Sequence, residues 1–217
     1  MRKTNSELAI LERGQFIFTN LEKQPEISGV MAEYGYSEEV LAEGRLVFDK
    51  ARACYDASRQ EAIESKEAYQ LFADFKARID ARYRMLRKKA KVLYRNHPLM
   101  IQRLNVHGDT PAAYLNWLDC VQQFCNVFLS SEEVQSRLAR LKVTVAEVEE
   151  LQLDIDSLIT SRAGYIKERG EAQHATQLKD DAIAHLDRWI REFYWVAKIA
   201  LDDQPQLLET FGIVVKR

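Results

Sequence analysis

Two stretches of this chain alternate apolar and polar positions with one shared period. In the later stretch, steps of four and three residues run from Leu151 through Ile155, Leu158, Arg162, Tyr165, Arg169, Ala172, Thr176, Lys179, Ile183, Leu186, Ile190, Phe193 and Ala197 to Ala200. The earlier stretch answers in the same phase with Phe48, Ala51, Tyr55, Ser58, Ala62, Ser65, Tyr69, Phe72, Lys76, Ile79, Tyr83, Leu86, Ala90 and Leu93. A sustained 3.5-residue period predicts helices that pair as in a left-handed coiled coil. Each seam is apolar at its two ends and weak in the middle, where Ser58, Ala62 and Ser65 are small and Arg162, Arg169 and Thr176 are polar.

The two stretches also share identities at a fixed offset of 107 positions. Leu46 falls on Leu153, Asp49 on Asp156, Glu64 on Glu171, Asp80 on Asp187, Ala90 on Ala197 and Pro98 on Pro205, with no gap. Self-similarity at a constant period predicts a copied structural unit. The chain is therefore read as two helical repeats, residues 1–107 and 108–217, intertwined as one structural unit.

Local signals place the elements. Thr4-Asn-Ser-Glu7 has the spacing of a capping box, in which hydroxyl and carboxylate satisfy free amides at a helix start, and Leu8, Leu11, Phe18 and Leu21 carry the first short helix to about Glu22. Pro25 resets the chain, and Glu26 to Tyr34 forms a shorter helix that stops at Gly35, a residue suited to a left-handed cap. Ser37 caps the first long helix, and His97-Pro98 ends that element because the residue before proline is driven out of the helical region. Asn105 and Gly212, 107 apart, both tolerate positive φ. Thr110-Pro111 reads as the start of the next short helix, Ser130-Ser-Glu-Glu133 opens its companion, ending near Val143, and Thr144-Val-Ala-Glu147 caps the second long helix, carried to about Leu201. Each long helix of about 58 residues would measure roughly 85–90 Å at 1.5 Å per residue.

The burial pattern implies an all-α fold: an elongated, internally duplicated bundle. Two long antiparallel helices form a thin neck, and short helices cover the rich seam ends to make a four-helix bundle at each end. A break near Gly164 and Gly170, which would fold each long element back on itself, is the alternative, since glycine inside a helix costs about 1 kcal/mol against alanine.

Composition changes this picture little. Proline is absent between Pro25 and Pro98 and between Pro111 and Pro205, so both long helices are free of the strongest breaker. The N-terminus lacks the apolar run of a signal peptide, and no window approaches about 18 apolar residues, so no membrane span is expected. Cys54, Cys120 and Cys125, odd in number and without CxxC spacing, read as reduced thiols of a cytoplasmic protein.

Charge is more informative. The net charge of −2 conceals nine Lys or Arg against the single acid Asp80 between Lys76 and Arg95, a local +8 with −10 elsewhere. Clustered bases gain affinity for phosphates by displacing counterions, so Arg82, Arg84, Arg87, Lys88, Lys89 and Lys91 are candidate anion-binding residues. The competing reading pairs these bases with the acids Glu132, Glu133, Glu147, Glu149 and Glu150, and a pI near 6.1 argues against a dedicated nucleic-acid binder. Glu64 and Glu67, one turn apart, match Glu171 and His174, and the second pair has the Glu-x-x-His spacing of di-iron bundles. These four are candidate metal ligands, although one such pair is half of what a di-iron site needs. Trp189, Phe193, Tyr194 and Trp195 read as core with Trp195 half exposed, Cys120 and Cys125 as buried thiols, and His97 and His107 as partners of helix-end carbonyls.

The sequence carries no phosphate-binding loop, nucleophile elbow or HExxH. The expectation is a non-enzymatic interaction or scaffold protein without cofactor, with a protein partner and homodimer formation. A transition-metal bundle and an anion or nucleic-acid binder are the alternatives.

Overall fold

The computed structural model describes residues 6–204 and 206–211. Every regular element in them is an α-helix: α1 (Glu7–Lys23), α2 (Pro25–Glu33), α3 (Glu38–Leu93), α4 (Pro98–Arg103), α5 (Tyr114–Leu129), α6 (Glu132–Ala139), α7 (Val145–Ala200) and α8 (Gln206–Glu209). Among the described residues no helix is long and apolar enough to cross a membrane.

Most boundaries follow from local chemistry. Ser37, Ser131 and Thr144 each accept a bond from the backbone N–H three residues on, satisfying one of the unpaired amides of α3, α6 and α7. Gly35 adopts φ +92° just past α2, and the Tyr36 N–H reaches back to the Met31 carbonyl at 3.0 Å. Asn105 takes φ +53° after α4; Gly212 lies outside the described residues.

Three expectations are corrected. The cap of α1 is Ser6, whose Oγ accepts from Ala9 N at 3.3 Å, so Glu7 opens the helix instead of closing a capping box, and its carboxylate is drawn to Lys179; Thr4 lies outside the described residues. Thr110-Pro111 does not start α5. That helix begins at Tyr114 behind Ala113, which makes no side-chain cap, because the Thr110 hydroxyl is taken by Arg87 (3.1 Å). The companion α6 ends at Ala139, before a turn in which Lys142 takes φ +57°.

Each long helix spans 56 residues. The α7 helix runs unbroken through Gly164 and Gly170, where an added Cβ would meet nothing within 4 Å. Glycine weakens a helix through backbone entropy but keeps its N–H donor, unlike proline, so two isolated glycines lower stability without breaking the ladder. Helix starts keep a constant interval: Glu7 and Tyr114, Pro25 and Glu132, and Glu38 and Val145 are each 107 positions apart, as are the positive-φ residues Gly35 and Lys142.

The chain forms two compact units, which share out the long helices. Unit 1 takes the residues up to Ile63 and those from Arg169 on; unit 2 is Glu64–Glu168. In unit 1, α1 and α2 close over the start of α3 and the end of α7 around Ile17, Ile27, Met31, Ala51, Leu186, Phe193 and Phe211. Trp189 stacks between Phe18 (5.2 Å) and Phe193 (5.4 Å), and Phe193 meets Tyr36 and Phe211 edge-on. The Trp189 ring presses on α3 at Gly44, where a Cβ would fall 2.1 Å from Cζ2.

In unit 2, α5 and α6 pack on the end of α3 and the start of α7 around Ile79, Tyr83, Leu86, Trp117, Phe124, Phe128, Leu151 and Ile155. Phe72 stacks on Tyr165 at 6.0 Å, while Arg82, ten residues on, reaches Asp154 at 2.7 Å and Glu150 at 3.0 Å. Later residues of α3 thus meet earlier residues of α7.

The seam pattern accounts for which positions are buried. Phe48, Ala51, Ile183, Leu186, Ile190, Phe193 and Ala197 are buried in unit 1, and Ile79, Tyr83, Leu86, Ala90, Leu151, Ile155 and Leu158 in unit 2. Ala62, Tyr69, Arg169 and Thr176 are exposed. Three of the basic seam residues are held by the short helices: the Lys76 ammonium sits 4.7 Å over Trp117, the Arg162 guanidinium 4.3 Å over Tyr114, and Lys179 pairs with Glu7. Rings and a carboxylate let these long side chains cover apolar surface without stranding a charge.

Candidate functional site

The basic end of α3 separates into two faces. Arg82 is spent structurally: its guanidinium donates to Asp154, Glu150 and the Glu147 carbonyl. Lys89, seven residues on, points to the Lys142 carbonyl at 3.5 Å. Of the five acids expected to neutralise this stretch, Glu150 does so through Arg82, and Glu133 instead pairs with Arg137 within α6.

The other face carries Arg84, Arg87, Lys88 and Lys91, which share one side of a helix at three- and four-residue spacing. Together with Val92 and Thr110 they line a pocket of about 230 Å³ whose walls are mainly apolar. Arg87 donates to Thr110 Oγ1 (3.1 Å) and to the carbonyls of His107 and Gly108 (2.7 Å each), and Lys91 donates to the Gly108 carbonyl (2.7 Å). Gly108 turns its carbonyl to them at φ +53°. These bonds fix the 107–110 loop against α3, but a neutral carbonyl does not cancel a charge. Arg84 is paired with Asp80 at 2.8 Å, and Asp80 also accepts from Trp117 Nε1 at 2.9 Å. Asp109 is exposed and does not line the pocket. Thr110 and Val92 were absent from the sequence candidates; the helical spacing of 84, 87, 88 and 91 against 82 and 89 is the signal that separates the pocket face.

The carboxylate candidates are divided between the units. Glu64, half-buried, and Glu67, exposed, belong to unit 2, while Glu171 and His174, both exposed, belong to unit 1. Neither unit holds more than one pair of the four. Of the histidines near the chain break, His97 makes no side-chain cap at α4, its ring lying edge-on to Tyr94 at 6.3 Å, and His107 contributes its carbonyl to Arg87.

Trp189 and Phe193 belong to the unit 1 core, and Trp195 stands 63% exposed with Ile199, one turn on, 64% exposed. Each unit also carries clefts that the sequence did not announce. One of about 510 Å³ opens between α1, α2 and α3, walled by Phe18, Leu21, Tyr36 and Leu41 and edged by the Glu22–Arg45 ion pair. Two more, of about 430 Å³ in unit 1 and 420 Å³ in unit 2, have linings in register: Lys50 and Ser157, Cys54 and Ser161, Leu178 and Leu71, and Ala182 and Phe75 are each 107 positions apart.

Cys120 and Cys125 are buried thiols in unit 2. Burial pushes Cys125 up to about 12 from its ordinary 9.0, with Arg82 pulling weakly the other way, and burial likewise raises Tyr83. A thiol whose folded pKa lies above its unfolded value contributes stability that is complete below pH 9 and is lost as pH climbs towards 12. In that window the unfolded chain ionises and the folded one does not. Urea unfolding is expected to show stability falling above pH 9, with Cys125 adding a slope of up to about 1.4 kcal/mol per pH unit. Cys125→Ala should flatten the profile, and an unchanged slope would show that this thiol is not the titrating group.

Compared with protein families, curated proteins and solved structures, the chain matches none.

Proposed function

We propose that this chain is a non-enzymatic interaction or scaffold protein of the cytoplasm, built from two copies of one helical unit and working as a homodimer. In this reading a single ancestral segment of short helix, shorter helix and long helix was duplicated. The two long helices pair antiparallel in a four-helix bundle within each unit.

The observation that carries it is the constant interval of 107. It recurs in helix starts, in the positive-φ residues and in the linings of the paired clefts, which are properties of backbone and packing as well as of sequence. Contacts agree with it. Glu7 meets Lys179 in unit 1, and the residues 107 positions away, Tyr114 and Phe72, meet in unit 2 at 5.7 Å. Ser28 Oγ donates to the Leu21 carbonyl, and Gln135, 107 positions after Ser28, donates to the carbonyl of Phe128.

Association is supported by the outer faces. Trp195 and Ile199 lie one turn apart on α7, each more than half exposed, and large exposed aromatic and aliphatic groups are the usual anchors of an interface. Sedimentation at micromolar concentration is expected to give twice the chain mass of 25.2 kDa. A Trp195→Asp, Ile199→Asp double variant is expected to shift the equilibrium to monomer. A wild-type protein that stays monomeric at every concentration would sink the homodimer reading.

A further inference from the structure

The pocket on the outer face of α3 has the chemistry of an organic phosphate site, and this goes beyond the interaction reading and does not depend on it. Arg84, Arg87, Lys88, Lys91 and Thr110 line about 230 Å³ through mainly apolar atoms, which places their charged and hydroxyl ends at its rim. Among the described residues the carboxylate bound to these cations is Asp80, on Arg84, shared with the Trp117 indole; Arg87 and Lys91 bond neutral oxygens, and Lys88 is exposed. Most of the positive charge therefore remains uncompensated at one place.

Two of the cations are also held in position before any ligand arrives. Arg87 is fixed by three acceptors in the 107–110 loop and Lys91 by one, so binding an anion there loses little side-chain freedom. The mainly apolar walls, formed by Val92 and the aliphatic stems of the long side chains, suit a flat or apolar group attached to the anion.

We propose that this pocket binds a small phosphate monoester. Its phosphate is held by Arg84, Arg87 and Lys88, with Lys91 and Thr110 completing the cradle, and its organic part lies against Val92. A single small pocket fits one phosphate group better than a strand, because a nucleic-acid track needs bases spaced along a groove.

Isothermal titration with phenyl phosphate, inorganic phosphate and single-stranded oligo(U) at low salt tests this. Phenyl phosphate is expected to bind several-fold tighter than inorganic phosphate, and Lys88→Glu to weaken it about tenfold or more, as loss of a charge-assisted contact should. Lys88 is chosen because it makes no bond to the loop, so its variant should keep the wild-type melting temperature. Arg84→Ala, which leaves the Asp80–Trp117 bond in place, is the second variant and should weaken binding in the same direction. Three results overturn the proposal. One is no phenyl phosphate binding in the millimolar range, and another is affinity unchanged in both variants. The third is oligo(U) binding far more tightly than either small anion, with a salt slope that counts several phosphates, which would make the surface a nucleic-acid site.

Discussion

Phe193→Ala is expected to remove about 3–5 kcal/mol of stability, the range for deleting a fully buried aromatic ring. Phe193 is completely buried, stacked on Trp189 and edge-on to both Tyr36 and Phe211. Truncation therefore opens a cavity between rings that are themselves locked by packing and cannot collapse into it. Urea unfolding measures the loss directly. Trp195→Ala, two residues away on the same helix but largely exposed, should change the stability of the dissociated monomer by no more than about 0.5 kcal/mol. Equal effects at the two positions would mean that the unit 1 core is not organised around Phe193.

Gly44→Ala is the second large effect, and its sign is opposite to that expected of an exposed helical glycine. Adding a methyl group inside a helix ordinarily stabilises by about 1 kcal/mol. Here the new Cβ would stand 2.1 Å from Trp189 Cζ2 and 2.3 Å from Cε2, and Trp189 cannot withdraw because Phe18 and Phe193 stack against it. Overpacking of this kind costs about 1–3 kcal/mol, so a net loss is expected. A Trp189→Leu background, which removes the obstructing ring, should turn the same substitution neutral or favourable. Additive effects of the two changes would rule out the contact as the cause.

How far the fold could be read beforehand depended on whether each signal was local. Ser37, Ser131 and Thr144 cap helices with their own hydroxyls, and Gly35 supplies its own positive φ, so these boundaries are written where they act. Thr110-Pro111 has equally good local chemistry and fails, because Arg87, 23 residues earlier, claims the hydroxyl through a tertiary contact. The apolar seam ends are buried in both units, whereas Ala62, Tyr69, Arg169 and Thr176 of the seam are exposed. Arg162, read as a polar position of the weak middle, is covered from a short helix, as are Lys76 and Lys179.

The candidate sites divide on the same line. The basic run was plain in composition, but its division was not. Arg82 and Lys89 lie seven apart and turn to α7 and the α6–α7 turn, whereas Arg84, Arg87, Lys88 and Lys91 face the loop after α4. That split was available from helical spacing. The loop residue Thr110 was not, since only the folded chain brings it to α3. The pair Glu171 and His174 had the right interval for a metal, but spacing on one helix says nothing of which other carboxylates share its unit.

Arg82 and Trp189, also 107 positions apart, are held in different ways in the two units. Trp189 holds its place by stacking, against a glycine, whereas Arg82 holds the equivalent place through two carboxylates and a carbonyl. Salt weakens charge pairs and leaves ring stacking nearly untouched, so ionic strength acts unequally on the two cores.

The way the units share out the chain has a consequence for biogenesis. Unit 2 is one uninterrupted segment, Glu64–Glu168, whereas unit 1 joins the first stretch of the polypeptide to the last. On the ribosome the inner segment is complete while the partner of α1 is still untranslated, leaving Ile10, Leu11, Ile17 and Phe18 with no α7 to cover them. The apolar face of α1 therefore stays uncovered until the residues from Arg169 on have been made.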